Sequence, residues 1–211
     1  MNKLQLNTIE SYNKAADKFA ETIAKLPNYN HTYDFLIGKL HDNDFILDLA
    51  CGPGQISKYI LSKKNVSVTG VDLSDKMLQI AQNELPSGKF YKKSIINFSN
   101  KCKYHAVIIG FGIPYLDETQ TKECLKNAVD NIIDNHYLYI SFMDGNDFRV
   151  EKTSFGGDND FAIYYHKKDE IKNLLRKYNI KVIQEYELDY QEKDGHISKD
   201  IILIGQKNNN K

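Results

Sequence analysis

The feature that most constrains this chain is residues 45–56. A short apolar run ends in Asp48 and gives way, through Leu49, Ala50 and Cys51, to Gly52-Pro53-Gly54. Residues with helical spacing follow, so the stretch reads as strand, turn and helix. Glycine lacks a Cβ, takes positive φ without strain, and lets the main chain come close to a bound molecule. A turn with glycines at 52 and 54 therefore suits a ligand. A second apolar run, residues 66–71, ends in Asp72, about 20 residues beyond the first glycine of the turn. In parallel α/β sheets a carboxylate at that place accepts hydrogen bonds from ribose hydroxyls. Turn and acid together describe a nucleoside-binding site.

The dinucleotide fingerprint G-x-G-x-x-G is incomplete, because Ser57 stands where its third glycine belongs. That counts against NAD. The run Asp48-Leu49-Ala50-Cys51-Gly52-Pro53-Gly54 instead resembles motif I of the class I S-adenosylmethionine-dependent methyltransferases, small-molecule type. Residues 70–78 resemble the ribose-binding segment that follows it in that family. The resemblance implies an α/β fold: a seven-stranded, mostly parallel Rossmann-like sheet with an antiparallel last strand, helices on both faces and an N-terminal helical cap. It implies S-adenosylmethionine as cofactor and S-adenosylhomocysteine as product. By the same likeness Asp48, Ala50, Cys51, Gly52, Pro53 and Gly54 border the methionine moiety, and Asp72 binds the ribose. Leu73 and Met77 flank the adenine, although Met77 reads equally as core. The family places an acid after the third strand to meet the adenine amino group. Here Ser94 occupies that place, and either its hydroxyl or the backbone of Ile95 would have to serve.

Asp48 can also simply accept bonds from loop N–H groups. Cys51 has no histidine near it in sequence, and a thiol nucleophile needs a base or a depressed pKa, so it reads as a small loop residue. Residues 104–111 form a nearly continuous apolar run, as expected of a strand covered on both faces. Ligands in open α/β sheets lie off the carboxyl ends of strands, so residues 110–115 border the reaction centre; the family resemblance implies that Gly110 and Phe111 face the methionine portion of the cofactor and Tyr115 the substrate. The signature Asn/Asp-Pro-Pro-Tyr, with which related enzymes methylate DNA bases or glutamine, does not occur.

At 211 residues and 41% hydrophobic content the chain fits one α/β domain that buries its core without staples. The expected division is a helical cap over 1–43, an α/β core over 44–206 and a disordered tail over 207–211. Lys plus Arg and Asp plus Glu number 28 each, so no net field draws the protein to a phosphate backbone. Nucleic acid and membrane are not expected partners; a small-molecule substrate is. Three scattered cysteines and the lack of a long apolar segment place it in the cytoplasm. Its six histidines are not set at metal-ligand spacing, and no metal is expected. Oligomeric state has no signature in these residues.

The cap reads as two helices whose Phe19, Ile23, Leu36 and Leu40 pack on the sheet. Residues 11–19 resemble a Tyr-x-x-Ala-x-x-aromatic segment found before motif I in many small-molecule methyltransferases. Tyr12 would then either reach the methionine end of the cofactor or serve in ordinary packing. Ser74 suits the N-cap of a helix over 75–84. A helix is expected from Asp117 to about Ile133, a turn at Asp134-Asn135, and a strand over 136–142. Residues 143–160 read as a solvent-facing excursion or hairpin, or else a lid over substrate. A helix over 168–177 and two last strands, 180–188 and 200–204, complete the chain. Should the acceptor need a base, His166 is the candidate, against a residue that merely ends a strand. Tyr12 and Tyr115 are weaker catalytic candidates. Together with Tyr29 they suit the walls of a pocket for a neutral or cationic small molecule. A non-catalytic nucleoside-binding module and an NAD-dependent oxidoreductase remain as alternatives.

Overall fold

Strands with no polar alternation need cover on both faces, and β1 (Phe45–Leu49) and β4 (Tyr104–Gly110) obtain it. Leu47, Leu49, Val107 and Ile109 face one core, shared with α5 (Glu118–Asp130) and α6 (Lys168–Lys177). Ile46, Ala106 and Ile108 face the other, shared with α2 (Asn30–Ile37) and α3 (Gln55–Leu61). The computed structural model describes residues 3–25, 27–152, 160–191 and 197–209.

Parallel to these run β2 (Ser67–Asp72), β3 (Lys89–Lys92) and β5 (Ile132–Met143). With β8 (Ile180–Gln191) and β9 (Ile197–Lys207) they make one seven-stranded sheet in the order β3-β2-β1-β4-β5-β9-β8. β9 is antiparallel to both its neighbours, which is the mixed sheet the resemblance implied. The chain winds outward from β1 to β3, then restarts at β4 on the other side of β1. Winding therefore reverses between β1 and β4, and a crevice opens there off the strand ends.

α4 (Asp75–Glu84) begins as expected, with the Met77 N–H donating to the Ser74 hydroxyl at 3.2 Å. α5 ends earlier than expected. Asp117 and Gln120 close a capping box at its start. Asn131 stops it, its amide donating to the Phe98 and Asn127 carbonyls at 3.2 and 2.9 Å. Ile132 is thus no helix residue but the first of β5, paired with Tyr104, and Ile133 follows it into the strand. Asp134-Asn135 is an irregularity inside this strand, with Asn135 at φ 66°.

Residues 143–160 contain the start of a hairpin, one of the forms expected for this stretch. β6 (Phe148–Lys152) pairs antiparallel with β7 (Asp160–Tyr164). Its inner face is not exposed to solvent: Phe161, Ile163 and Tyr165 are buried and pack against Met143, Tyr12 and Tyr115. Phe155 lies outside the described residues.

α1 (Lys3–Ile23) lies across α4 and β7 instead of packing on the sheet. Its buried positions are Gln5, Thr8, Ser11, Ala15 and Ala16, while Phe19 and Ile23 are only half-buried. This polar, hydrogen-bonding stripe is why apolar spacing alone misplaced the helix. α2 does pack on the sheet, through Leu36 and Ile37, with Leu40 just beyond it. At the other end Lys207 closes β9, and the Asn208 N–H donates to the Asn179 carbonyl at 2.9 Å.

Candidate functional site

The crevice is shaped first by backbone. Ala50, Gly52 and Gly54 all have positive φ, at 60°, 52° and 82°. The Gly54 N–H donates to the Cys51 carbonyl at 2.9 Å, and Gly54 accepts from the Lys58 N–H at 2.8 Å as α3 begins. A Cβ at Gly54 would press on Leu85 and Ala81 of the α4 side, at 3.2 and 3.3 Å. A Cβ at Gly52 would meet nothing closer than the Phe19 ring, at 3.8 Å. The outer side of this turn thus opens toward α1.

Asp72 ends β2 and holds the turn directly. Its Oδ2 accepts the Gly52 N–H at 2.9 Å and its Oδ1 the Ser74 N–H at 2.8 Å. A carboxylate offers about four acceptor positions, so two such bonds leave room for hydroxyl donors. Burial raises its pKa, against the opposing effect of the Ser74 and Gly52 N–H groups.

Asp48 is 1% exposed and accepts the Ser57 hydroxyl at 2.7 Å. The residue that breaks the dinucleotide fingerprint is therefore the partner of the motif acid. Burial pushes the Asp48 carboxyl up to about 7; Ser57 opposes the shift and Asp72 adds to it.

At the end of β4, Phe111 sits at φ 52° and donates its N–H to the Ser141 hydroxyl at 2.9 Å. Two left-handed non-glycine residues, Ala50 and Phe111, thus directly follow β1 and β4 on either side of the reversal point, and strain of that kind concentrates at ligand sites. The glycines on either side of Phe111 both lie against neighbouring side chains. A Cβ at Gly110 would lie 2.3 Å from Ile56 Cδ1, and one at Gly112 would lie 2.8 Å from Ala50 Cβ. Ile56 can rotate, whereas Ala50 Cβ moves only with the turn. Gly112→Ala should therefore cost about 1–3 kcal/mol, the range for overpacking, and urea denaturation should show it as a lower midpoint at unchanged slope.

The remaining predicted residues divide. Pro53 and Cys51 are buried in the turn. Cys51 Sγ would lie 2.9 Å from a Cβ at Gly70, and burial drives its thiol pKa well up, so it is a packed loop residue. Leu73 is half-buried beside Asp72, while Met77 is 2% exposed and belongs to the core. Ser94 accepts the Ile96 N–H at 3.3 Å. Ile95 turns its side chain into the core, and its carbonyl accepts the Asn127 amide at 3.1 Å.

α1 covers the crevice and is fastened along its length. Asn13 accepts the Ser74 hydroxyl at 2.7 Å, which ties the helix to the loop after Asp72. Ser11 donates to the Asp160 carbonyl at 2.9 Å, and Thr8 accepts the Ala162 N–H at 3.2 Å. Gln5 reaches Gln120 at the start of α5. Asn13 carries no periodic signal; its only hint in sequence is a short polar side chain in mid-helix, where such residues are unfavourable.

Between these fastenings Tyr12 projects into the crevice. Its hydroxyl bonds that of Tyr115, and its ring stands edge-on to Phe19, Tyr115 and Phe161 at 5.4, 5.4 and 4.9 Å. Burial raises the Tyr12 pKa well above the phenol range, followed by Tyr115 and Asp72. Asp72 therefore lies within electrostatic reach of this hydroxyl, which is no base at neutral pH. His166 does not join the pair. Its Nε2 donates to the Ile113 carbonyl at 3.2 Å, backing the short 3-10 turn Ile113–Tyr115 that carries Tyr115. Burial lowers the His166 pKa. Tyr29 lies on the far side, edge-on to Phe111 at 5.4 Å. Among the described residues no group of three His, Cys, Asp or Glu converges to hold a metal, and no helix is long and apolar enough to cross a membrane.

Residues 46–132, which contain the glycine turn, Asp72 and the segment from Gly110 to Tyr115 but not α1, match a family model described as a methyltransferase domain. YqeM of Bacillus subtilis, whose name designates a methyltransferase, is 37% identical over 78 residues, 37% of this chain and 31% of that protein. The chain spans only 31% of the length of the two curated relatives it matches. Among solved structures, an S-adenosylmethionine-dependent methyltransferase from Clostridium acetobutylicum superposes with a TM-score of 0.70 at 17% identity, over 92% of this chain and 99% of that one. The 1,6-didemethyltoxoflavin-N1-methyltransferase of Burkholderia thailandensis, solved with that compound and S-adenosylhomocysteine, gives 0.71 at 12% identity, over 97% and 88%. Residues 46–132 are thus similar to a methyltransferase domain, and the chain as a whole has the fold of solved S-adenosylmethionine-dependent methyltransferases.

Proposed function

We propose that the chain binds S-adenosylmethionine over the carboxyl ends of β1, β2 and β4 and methylates a small-molecule acceptor held beneath α1 and the β6–β7 hairpin, leaving S-adenosylhomocysteine. The observation that carries this reading is the 2.9 Å bond from the Gly52 N–H to Asp72. It joins the two halves of the motif into one site, although 20 residues separate them in the chain. The spacing at Gly52 supports it too, since a Cβ there would meet only the Phe19 ring, at 3.8 Å.

In this reading Asp72 takes the ribose hydroxyls and Asp48 orients the amino group of the methionine moiety. Residues 50–54, with Gly110 and Phe111, present main chain to its tail. Half-buried Leu73 flanks the adenine, and the Ser94 hydroxyl meets its amino group; Met77 supports them from the core. S-adenosylmethionine, when bound, supplies an activated methyl group on a positively charged sulfur. The protein's task is then chiefly alignment, which can lower a barrier by roughly 7–11 kcal/mol. Tyr12 and Tyr115 wall the acceptor side and His166 positions Tyr115. The aromatic cluster of Tyr12, Tyr115 and Phe161 beside the proposed cofactor site favours an enzyme over a mere binding module, and the Ser57–Asp48 bond fills the place where NAD would need a glycine. Three free cysteines and a balanced charge support a cytoplasmic protein without a nucleic-acid partner.

Thermal unfolding with S-adenosylhomocysteine and with NADH tests the reading. At one hundred times its dissociation constant the cofactor product should add about 2.7 kcal/mol to stability. Stabilisation by NADH and none by S-adenosylhomocysteine overturns it.

A further inference from the structure

The polar contacts that fasten α1 do not all lead to the same place. Those of Ser11, Thr8 and Gln5 run to β7 and to the start of α5. That of Asn13 runs, across 61 residues of chain, to the loop after the acid proposed to hold the ribose. Asn13 Oδ1 accepts the Ser74 hydroxyl at 2.7 Å and the Lys76 N–H at 3.3 Å. Ser74 Oγ itself accepts the Met77 N–H at 3.2 Å, so the hydroxyl proton is what it gives to Asn13. α1 thereby completes the N-terminal cap of α4, serving a donor that Ser74 does not reach. The same Ser74 donates its N–H to Asp72 Oδ1 at 2.8 Å, while the Gly52 N–H holds Oδ2 at 2.9 Å. One line of hydrogen bonds thus runs from the middle of α1 through Ser74 and Asp72 to the glycine turn.

A carboxylate that accepts two neighbouring hydroxyls must present its lone pairs in one orientation. Both bonds that orient Asp72 come from main-chain N–H groups, and the Ser74 N–H is aimed only as well as its own residue is held. Ser74 is 2% exposed and is held by Met77 on one side and Asn13 on the other. An acid set in advance spares the ligand the cost of ordering it, and the saving appears as affinity. We infer that Asn13 is a positioning residue for the cofactor: seated on Ser74, it fixes Asp72 for the ribose diol, so that docking of α1 and binding of the diol are coupled. The inference deepens the cofactor reading and rests on it. Such coupling is reciprocal: the factor that the seated helix adds to diol binding, the bound diol adds to the seating of the helix.

Calorimetric titration of the full chain with S-adenosylhomocysteine and with its 2′-deoxyribose analogue tests it. The ratio of the two affinities measures the grip on the diol. Asn13→Ala loses both accepted bonds and should lower that ratio by about threefold or more, the effect of one net hydrogen bond. General loosening of α1 would weaken both ligands alike and leave the ratio where it was. A smaller fall in a folded Asn13→Ala protein overturns the inference. So does an equal fall in Ser11→Ala, which loosens α1 without touching Ser74. Hydrogen exchange on the wild type needs no variant to fold. At equal saturation S-adenosylhomocysteine should slow the amides of residues 9–17 more than the analogue does, and equal protection by the two ligands overturns the inference. Failure of S-adenosylhomocysteine to bind the wild type overturns the cofactor reading, and the inference with it; binding without the ribose-dependent differences strikes the inference alone.

Discussion

Asp72→Ala should weaken S-adenosylhomocysteine binding at least a hundredfold. Hydrogen bonds to a charged group contribute about 1.5–3 kcal/mol each, so two ribose hydroxyls account for about 3–6 kcal/mol. At about 1.4 kcal/mol per factor of ten, that is roughly two to four orders of magnitude. The structure adds a second loss. Asp72 also receives the Gly52 and Ser74 N–H groups, so the substitution frees the turn that should lie against the amino-acid tail. Each orphaned donor costs about 1–3 kcal/mol when no water replaces its acceptor. Asp72 is half-buried, so water offsets part of that cost, and the variant should fold with a lowered melting temperature. Calorimetric titration separates binding from folding. Wild-type affinity in a folded variant would mean that the ribose is held by other groups.

What could be read from sequence was what is local. The turn at 50–54 is legible because positive φ calls for glycine at 52 and 54, and Asp72 because a carboxylate ends a recognisable apolar run. α4 is legible because its Ser74 cap lies one residue ahead of it. Ser57 reads as a defect of the fingerprint because that pattern asks for a glycine and says nothing of what a hydroxyl would touch. The packing of α1 is not legible because its buried stripe begins with Gln5, Thr8 and Ser11, which a hydrophobic period cannot see. Ile132 reads as helix because an aliphatic pair following a helical pattern continues it as well as it starts a strand. The Tyr29–Asp200 bond joins residues 171 apart, and no local rule reaches that far.

α1 shows how such distant contacts bear on function. It is held by hydrogen bonds of Asn13, Ser11, Thr8 and Gln5, each contributing about 0.5–1.5 kcal/mol net, and by the packing of Tyr12 and of buried Ala15 and Ala16. Together these contacts fix Tyr12 beside the site proposed for the acceptor.

Asp48 gives the largest predicted pH effect on stability. Its pKa is about 7 in the folded protein against an ordinary value of 3.8. Between those two values the unfolded chain has released a proton that the folded chain still holds. Fewer protons are then bound in the unfolded state, so stability falls as pH rises through this window and is flat in this respect on either side. At 1.36 kcal/mol per pKa unit the decline reaches at most about 4 kcal/mol. Asp72, whose pKa is also raised, adds a decline of the same sign. Asp48→Asn removes the Asp48 share and still accepts the Ser57 hydroxyl. Urea denaturation should therefore show the variant gaining on the wild type from pH 4 to 7. Its S-adenosylhomocysteine affinity should drop, since the amino group of that ligand is cationic and needs the ionised acid. For the same reason wild-type affinity should fall about tenfold per pH unit below 7. Parallel stability curves for the two proteins would mean that Asp48 is ionised throughout, and the acid would then be a fixed partner of Ser57 and no gate on cofactor binding.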